Sequence, residues 1–321
     1  MKNTNRPVRV EDVARVAGVS PITVSRALSY PEKVKEETRK KVADAVAKTG
    51  YVVNSFASSL RSGRSPIVAV FAPDVRNPHL ANVLLGCTEV LENNGYQLLA
   101  ARVGDSADEQ RRVIASMTPF RPAAMLFTDL LKRDLDRNIV AAYGIPVVEM
   151  WDQRTDPIDM LVTMWEADAG RTMGRHFVER GYTRIAYAGL LAERGRLRLQ
   201  GFEAALREAG RDCQVVLGLS QGWEPDVGAE AFDEIIDRLP DCDAILFGSD
   251  ILAAGGLSAA RRRGMSIPRD IAVAGFGDIP MAPHLDPPLT SLAVSSLEMG
   301  RQAGQMLLRR LGGRDAGERI V

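Results

Sequence analysis

Residues Ser20-Pro21-Ile22-Thr23 and Arg26 bring together groups that recognise a polyanion and read its bases. Ser20 is a good helix N-cap, and Pro21 stands at the first helical position, where its missing N–H costs nothing. The free backbone N–H groups of such a helix start bind phosphate. Arg26 carries a planar fork able to donate two hydrogen bonds to guanine, and Ile22 offers an apolar surface to a thymine methyl. Helical spacing turns Pro21, Ile22 and Arg26 outward while Val24, Ala27 and Leu28 face a core. Lys2, Arg6, Arg9, Arg15, Lys33, Lys35, Arg39, Lys40 and Lys41 add sequence-independent attraction to a phosphate backbone. A second set of polar residues lies where apolar runs end. Asp74 and Asn77 follow Pro66–Phe71, Asp152 follows Val147–Trp151, Asp250 follows Ala244–Phe247, and Arg198 opens a helix after the Gly189 loop. Carboxylates, an amide and a guanidinium converging at strand ends suit a hydroxyl-rich small molecule. Asp250 has a competing role, as the cap of a helix beginning at Ile251.

Catalytic chemistry finds little support. There is no Walker loop, no Gly-x-Ser-x-Gly elbow and no metal-ligand cluster, and the 3 His leave few nucleophile–base pairs. Gly275-Phe-Gly277 lacks the third glycine and the helix of a dinucleotide fingerprint. No cofactor and no metal are therefore expected. Cys87, Cys213 and Cys242 are an odd, sparse set without Cys-x-x-Cys spacing, which fits a reducing cytoplasm rather than a disulfide framework. No apolar h-region follows the N-terminus and no run reaches the roughly 18 apolar residues of a membrane span, so a cytoplasmic protein without membrane contact is expected.

The elements that must hold these residues fall into two grammars. Up to residue 50 the chain predicts short helices: Val10–Ala17 ended by Gly18, a second opened by Ser20-Pro21, and a third near Glu36–Thr49 stopped by Gly50. Helix, glycine turn, helix is a helix-turn-helix pattern, with the second helix placed for the major groove. Tyr51–Arg64 is polar and Ser-rich and predicts a linker. From Ser65, strands at Pro66–Phe71, Gln97–Ala101, Ala123–Phe127, Val147–Met150, Ile185–Ala188, Ala244–Phe247 and Ile271–Ala274 alternate with helices, as in parallel α/β sheets. Those helices are expected near Leu80–Asn94, Asp108–Met117, Ala167–Arg180, Leu197–Ala209, Ala229–Arg238 and Ile251–Arg263. The 321 residues are 45% hydrophobic and 26% charged, ordinary for a globular chain of two or three domains. Charge is split, however. Residues 1–65 carry 13 Lys/Arg against 6 Asp/Glu, and the rest carry 28 against 35. A basic head meeting a polyanion, on an acidic body with another task, is the simplest account.

Val10–Leu28, Glu37-Thr-Arg39, Gly50-Tyr-Val-Val-Asn54 and Ala57-Ser-Ser-Leu60 closely resemble the LacI/GalR family of transcriptional regulators. The resemblance continues through Pro73-Asp-Val-Arg-Asn-Pro78, Arg198–Phe202, Ser249-Asp250, Ile267-Pro268, Val273–Phe276 and Pro288–Ser291. It implies an α/β fold: an N-terminal helix-turn-helix domain plus a periplasmic-binding-protein-like core of two doubly wound parallel-sheet subdomains that close on a small molecule. The implied division is a DNA-binding domain at 1–52, a hinge at 53–65 and an effector-binding, dimerising core at 66–321. Within that core the N-subdomain covers about 66–163 and 293–312, and the C-subdomain about 164–292. The matched motif places Pro21, Ile22 and Arg26 where base-reading side chains sit, with Ser20, Thr23, Asn54 and Ala57 beside them. Leu60 falls on the hinge leucine wedged into the minor groove. An isolated two-turn helix is unstable in water, so residues 54–62 are expected to order on DNA. Arg198 and Trp223 match ligand-contacting positions, and Asp74, Asn77, Asp152 and Asp250 complete the candidate effector set. Trp151 and Trp165 are expected in the core.

Three departures stand out. Lys35 replaces the Ser that commonly caps the third helix, His79 replaces a Phe after Asn-Pro, and the chain stops at Val321, ahead of a terminal strand many relatives carry. The last leaves the final packing contacts of the C-terminal subdomain in question. Pro146–Asp152 and Ile158–Val162 look like the gluconate-repressor branch, which suggests gluconate or a keto-gluconate with its carboxylate on Arg198. Yet Met164-Trp-Glu166 replaces the Phe-Asp-Asn usual there. The expectation is a homodimeric regulator, a repressor, on a pseudo-palindromic operator, with a sugar-like effector. A solute-binding protein for transport and a sugar-handling enzyme are the alternatives. The missing signal peptide and the basic helical head argue against the first, and the lack of catalytic motifs against the second.

Overall fold

A computed structural model describes residues 8–52, 65–104, 106–128, 131, 134–151, 153–220, 222–315 and 317–321. Asn54, Ala57, Leu60 and Asp152, and with them the expected hinge, lie outside these residues.

The N-terminal unit contains α1 (Val10–Ala17), α2 (Pro21–Ser29) and α3 (Glu36–Thr49). Gly18 and Gly50 end α1 and α3 in the left-handed conformation, at φ 67° and 65°, where a β-carbon would be strained. Val13, Val24, Val42 and Ala45 form the small core on which the helices meet. Lys35 stands at the N-cap of α3 and makes no side-chain cap bond, as its chemistry requires.

The larger unit holds two sheets. The first contains β1 (Ile67–Ala72), β2 (Gln97–Arg102), β3 (Ala124–Phe127), β4 (Val147–Met150) and β5 (Met160–Val162), in the order β2-β1-β3-β4-β5. Its helices are α4 (Pro78–Leu91), α5 (Ala107–Met117) and α6 (Asp134–Ala142). The second sheet contains β6 (Ile185–Leu190), β7 (Cys213–Leu219), β8 (Ala244–Phe247), β9 (Ala272–Gly277) and β10 (Thr290–Ala293), in the order β10-β9-β8-β6-β7. Around it lie α7 (Glu166–Glu179), α8 (Glu193–Glu208), α9 (Pro225–Arg238) and α10 (Asp250–Arg262), and α11 (Ser296–Leu311) returns to pack on α4. Every strand pair is parallel. Central strands are buried on both faces: Val68 and Val70 join one apolar cluster, Ala69 and Phe71 another. That is the doubly wound arrangement, which explains their continuous apolar runs.

β5, β7, β10, α6 and α11 are not apparent as elements in the sequence. β5 has only three residues, while β7 and β10 are edge strands mixing apolar residues with Gln, Gly, Thr and Ser. The chain passes from the first sheet to the second through residues 163–165 and back through 294–295. Residues 319–321 return to β5: Leu161 N–H donates to the Arg319 carbonyl, and Thr163 N–H to that of Val321. The chain end therefore packs on the first sheet, not on the C-terminal subdomain.

Candidate nucleic-acid interface and ligand cavity

On α2 the Ser20 hydroxyl accepts from Thr23 N–H at 3.1 Å and bonds the Thr23 hydroxyl at 2.9 Å. Both side chains are thus engaged in the cap, the role Ser20 was expected to fill. Pro21, Ile22 and Arg26 are exposed, Ile22 to 71%. Some other cations on these helices hold carboxylates: Arg15 pairs with Asp12 and Lys41 with Glu37, each at 2.8 Å. Arg26 has no such partner among the described residues.

The larger unit contains a cavity of about 120 Å³, lined by loops beyond the carboxyl ends of strands from both sheets, the usual ligand position in open α/β sheets. Among the residues that line it is Arg198. The helix that carries it starts at Glu193, four residues before its expected beginning, so Arg198 lies in the second turn of α8 rather than at its start. Arg198 Nε and Nη2 donate to Glu166 Oε2 at 3.0 and 2.9 Å, and Nη1 donates to the Gly248 carbonyl at 2.8 Å. The guanidinium lies 3.3 Å from the centroid of the Phe276 ring, a cation–π contact. Glu166 is the first residue of α7, and the pair exists because α7 and α8 cross at glycines. A β-carbon on Gly170 would stand 1.9 Å from the Arg198 carbonyl oxygen, and one on Gly201 1.8 Å from that of Ala167.

Asn77, Trp223 and Trp151 also line the cavity. Asn77 Oδ1 accepts from His79 N–H at 2.9 Å and so caps α4. Trp151 is buried with φ at 59° and lies beneath the Arg194 guanidinium. Trp165 corrects the expectation of a core residue: at the N-cap of α7 it is 56% exposed. Two expected members face elsewhere. Ser249, not Asp250, caps α10 through its hydroxyl, and Ser249 is the one that lines the cavity. Asp250 is 1% exposed, accepting from Ile279 N–H at 2.8 Å and from the Ser291 hydroxyl at 2.5 Å. Burial raises its pKa despite these bonds. Asp74 is held by Arg76, whose hydrogen bond keeps the carboxyl below its ordinary range. Arg76 in turn reaches Glu224 at 2.5 Å, joining the β1–α4 loop to the residue before α9.

The sequence does not place Glu166, Tyr187 or Ser249 among the cavity residues, and shows Glu166 and His79 only as departures from the family pattern. His79 lines the wall with Nδ1 3.3 Å from the Ser296 hydroxyl. Burial, then the charges of Arg198 and Arg194, lower its pKa to about 4. Among the described residues no group of acidic, His and Cys side chains could hold a metal, and no helix is long and apolar enough to cross a membrane.

Residues 9–54 match the family model described as bacterial regulatory proteins, lacI family, and residues 175–321 that of a periplasmic binding protein-like domain. The chain is 34% identical to the HTH-type transcriptional regulator GntR of Pseudomonas aeruginosa, over 98% of this chain and 92% of that one. A LacI-family transcriptional regulator from Silicibacter pomeroyi superposes with a TM-score of 0.90 at 31% identity, covering 98% and 96% of the two chains. The regulator CelR in complex with cellobiose superposes at 0.69 with 30% identity, covering 96% and 94%. Helix-turn-helix, two parallel sheets and near full-length similarity to regulators rather than enzymes converge: the chain belongs to the LacI family of bacterial DNA-binding transcriptional regulators.

Proposed function

We propose that this regulator is a cytoplasmic homodimeric repressor whose operator affinity is set by a sugar or sugar acid bound in the Arg198 cavity. The cavity itself is the observation that carries this reading. Polar Asn77, Glu166, Arg198 and Ser249 line it together with Trp151, Trp223 and Phe276, and polar groups combined with aromatic faces are what a sugar ring needs. The cellobiose complex of a relative supports the ligand class. The Pro146–Asp152 segment and the kinship with GntR favour gluconate or a keto-gluconate among the acids. Residues 1–52 would bind DNA through Ser20, Pro21, Ile22, Thr23 and Arg26. The hinge at 53–65 would add Asn54, Ala57 and Leu60, and the core at 66–321 would bind effector. Asp152 and Trp223 remain proposed contacts, while Asp74 and Asp250 would act by shaping the walls. A dimer's two-fold axis implies a pseudo-palindromic operator with half-sites about one helical turn apart.

The test is a thermal-shift screen of sugars and sugar acids on the full chain, followed by gel shifts with a selected operator. A true effector raises the melting midpoint and changes operator affinity. Arg198→Ala should lose both responses while the N-terminal helices still bind operator. If Arg198→Ala responds to effector like the wild type, the cavity is not the effector site.

A further inference from the structure

Arg198 is the natural anchor for an acidic ligand, yet its Nε/Nη2 edge is already taken by Glu166. A bidentate grip uses two parallel N–H groups, and Nε–H and Nη2–H both point at Glu166 Oε2. Glu166 is 2% exposed, so displacing it would strand a buried anion. A ligand carboxylate arriving there would also meet that anion's charge. The second oxygen of Glu166, Oε1, receives no hydrogen bond among the described residues, although Glu166 lines the cavity.

Tyr187 supplies a second, independent observation. Its side chain is fully buried at the cavity, and its hydroxyl has no hydrogen-bond partner. Buried polar groups are rarely left so. Glycines surround it closely: a β-carbon on Gly189 would come within 2.8 Å of that hydroxyl, and one on Gly248 within 3.2 Å, so only glycine at these positions leaves the hydroxyl unobstructed by a side chain. Both positions are glycine, and Gly248 lines the cavity.

We infer that Glu166, Tyr187 and Arg198 form a hydroxyl-reading subsite that takes the neutral polyol portion of the ligand and excludes a carboxylate from Arg198. Hydroxyl groups both donate and accept. One can donate to Glu166 Oε1 while accepting from Arg198 or from the Tyr187 hydroxyl, which a carboxylate cannot do. Glu166 is thereby a specificity-determining residue. This rests on the cavity being the effector site, and it sets the orientation of an acidic effector: hydroxyl end at Arg198, carboxylate away from it.

The test uses the full-length protein and two probes, gluconate and glucitol, which differ in a carboxylate against a hydroxymethyl at one end. Calorimetry gives the ratio of their affinities. Glu166→Gln should move that ratio toward gluconate by on the order of tenfold, the worth of a charge-assisted bond gained and a repulsion lost. Tyr187→Phe should weaken glucitol several-fold yet leave the ligand-free melting midpoint equal or higher, because no internal bond is lost. An unchanged ratio in Glu166→Gln, or one moved toward glucitol, overturns the subsite. So does failure of both probes to bind either protein at millimolar concentration, or a melting midpoint several degrees lower in ligand-free Tyr187→Phe. If Glu166→Gln does not fold, the Tyr187→Phe pair of measurements decides alone. A sugar that shifts wild-type melting while these comparisons stay flat leaves the effector reading standing and removes only the subsite. Silence from every sugar and sugar acid removes the effector reading itself.

Discussion

Arg26 and Lys40 are both cations on the N-terminal helices, but they stand in different surroundings. Arg26 lies on the exposed face of α2 beside Ile22, while Lys40 stands 3.9 Å from Glu36 on α3. Arg26→Ala is expected to weaken operator binding by about 1–3 kcal/mol and to relax preference at one base pair, whereas Lys40→Ala weakens all sequences alike. Competition gel shifts with single-base operator variants read the difference, and equal loss on every variant would make Arg26 a phosphate contact. His79 carries a pH signature. Folding lowers its pKa from 6.5 to about 4, burial being the larger cause. Between those values the unfolded chain binds a proton that the folded chain refuses. The stability tied to neutral His79 is therefore complete above about pH 6.5 and is lost as pH falls toward 4. Urea unfolding at about pH 7 and about pH 5 should show the wild type losing about 2 kcal/mol more than His79→Phe over that interval. Equal losses would place the titration elsewhere.

At the scale of elements, the crossing of α7 and α8 decides where Glu166 meets Arg198. Gly170→Ala would set a β-carbon against the Arg198 carbonyl, and overpacking of this kind costs about 1–3 kcal/mol. The expected outcome is a lower melting midpoint for the core together with weakened effector binding. Normal effector affinity in a folded Gly170→Ala protein would show that the pair tolerates a wider crossing. A different contact joins the two subdomains at Arg76, which bonds Asp74 on its own loop and Glu224 across from it. These side chains are about half exposed, so screening by salt should be strong. Arg76→Gln is expected to weaken effector binding a few-fold at low salt and to match the wild type at high salt. A salt-independent loss would mean that Arg76 acts by positioning its loop.

For the whole molecule, regulation requires that effector and operator each favour a different balance of states. The effector can shift operator affinity only by its own difference in affinity for those states, usually about 1–3 kcal/mol. Operator must then change effector affinity by the same factor. Calorimetry of effector binding with and without operator should give a ratio equal to the effector-induced change in operator affinity. Unequal ratios would show that a further equilibrium, such as assembly of the chain, takes part.

Local chemistry determined much of this protein on its own. Ser20-Pro21, Gly18 and Gly50 settle where the N-terminal helices start and stop, because caps and left-handed turns depend on neighbours in the chain. Central strands such as β1 and β8 show in the sequence because burial on both faces demands continuous apolar runs. Asn77 stands out because its polar side chain follows such a strand, whereas Trp223 is legible only through the resemblance to the LacI/GalR family, and Arg198 lies inside a helix that begins earlier than the sequence suggests. Edge strands β7 and β10 do not show in the same way, since almost none of their residues is fully buried and the continuous apolar run is lost. The tertiary structure alone decided which groups meet. Glu166 and Arg198 are 32 residues apart and bond only because glycines let two helices touch. Asp250 looks like a cap or a ligand group in the sequence, yet β9 and β10 bring Ile279 N–H and the Ser291 hydroxyl to its carboxylate and turn it from the cavity. Tyr187 reads as one more residue of a buried strand, and only the packing around Gly189 and Gly248 leaves its hydroxyl without a partner. Contacts between residues distant in the chain are set by how elements pack, and no local preference encodes the partner.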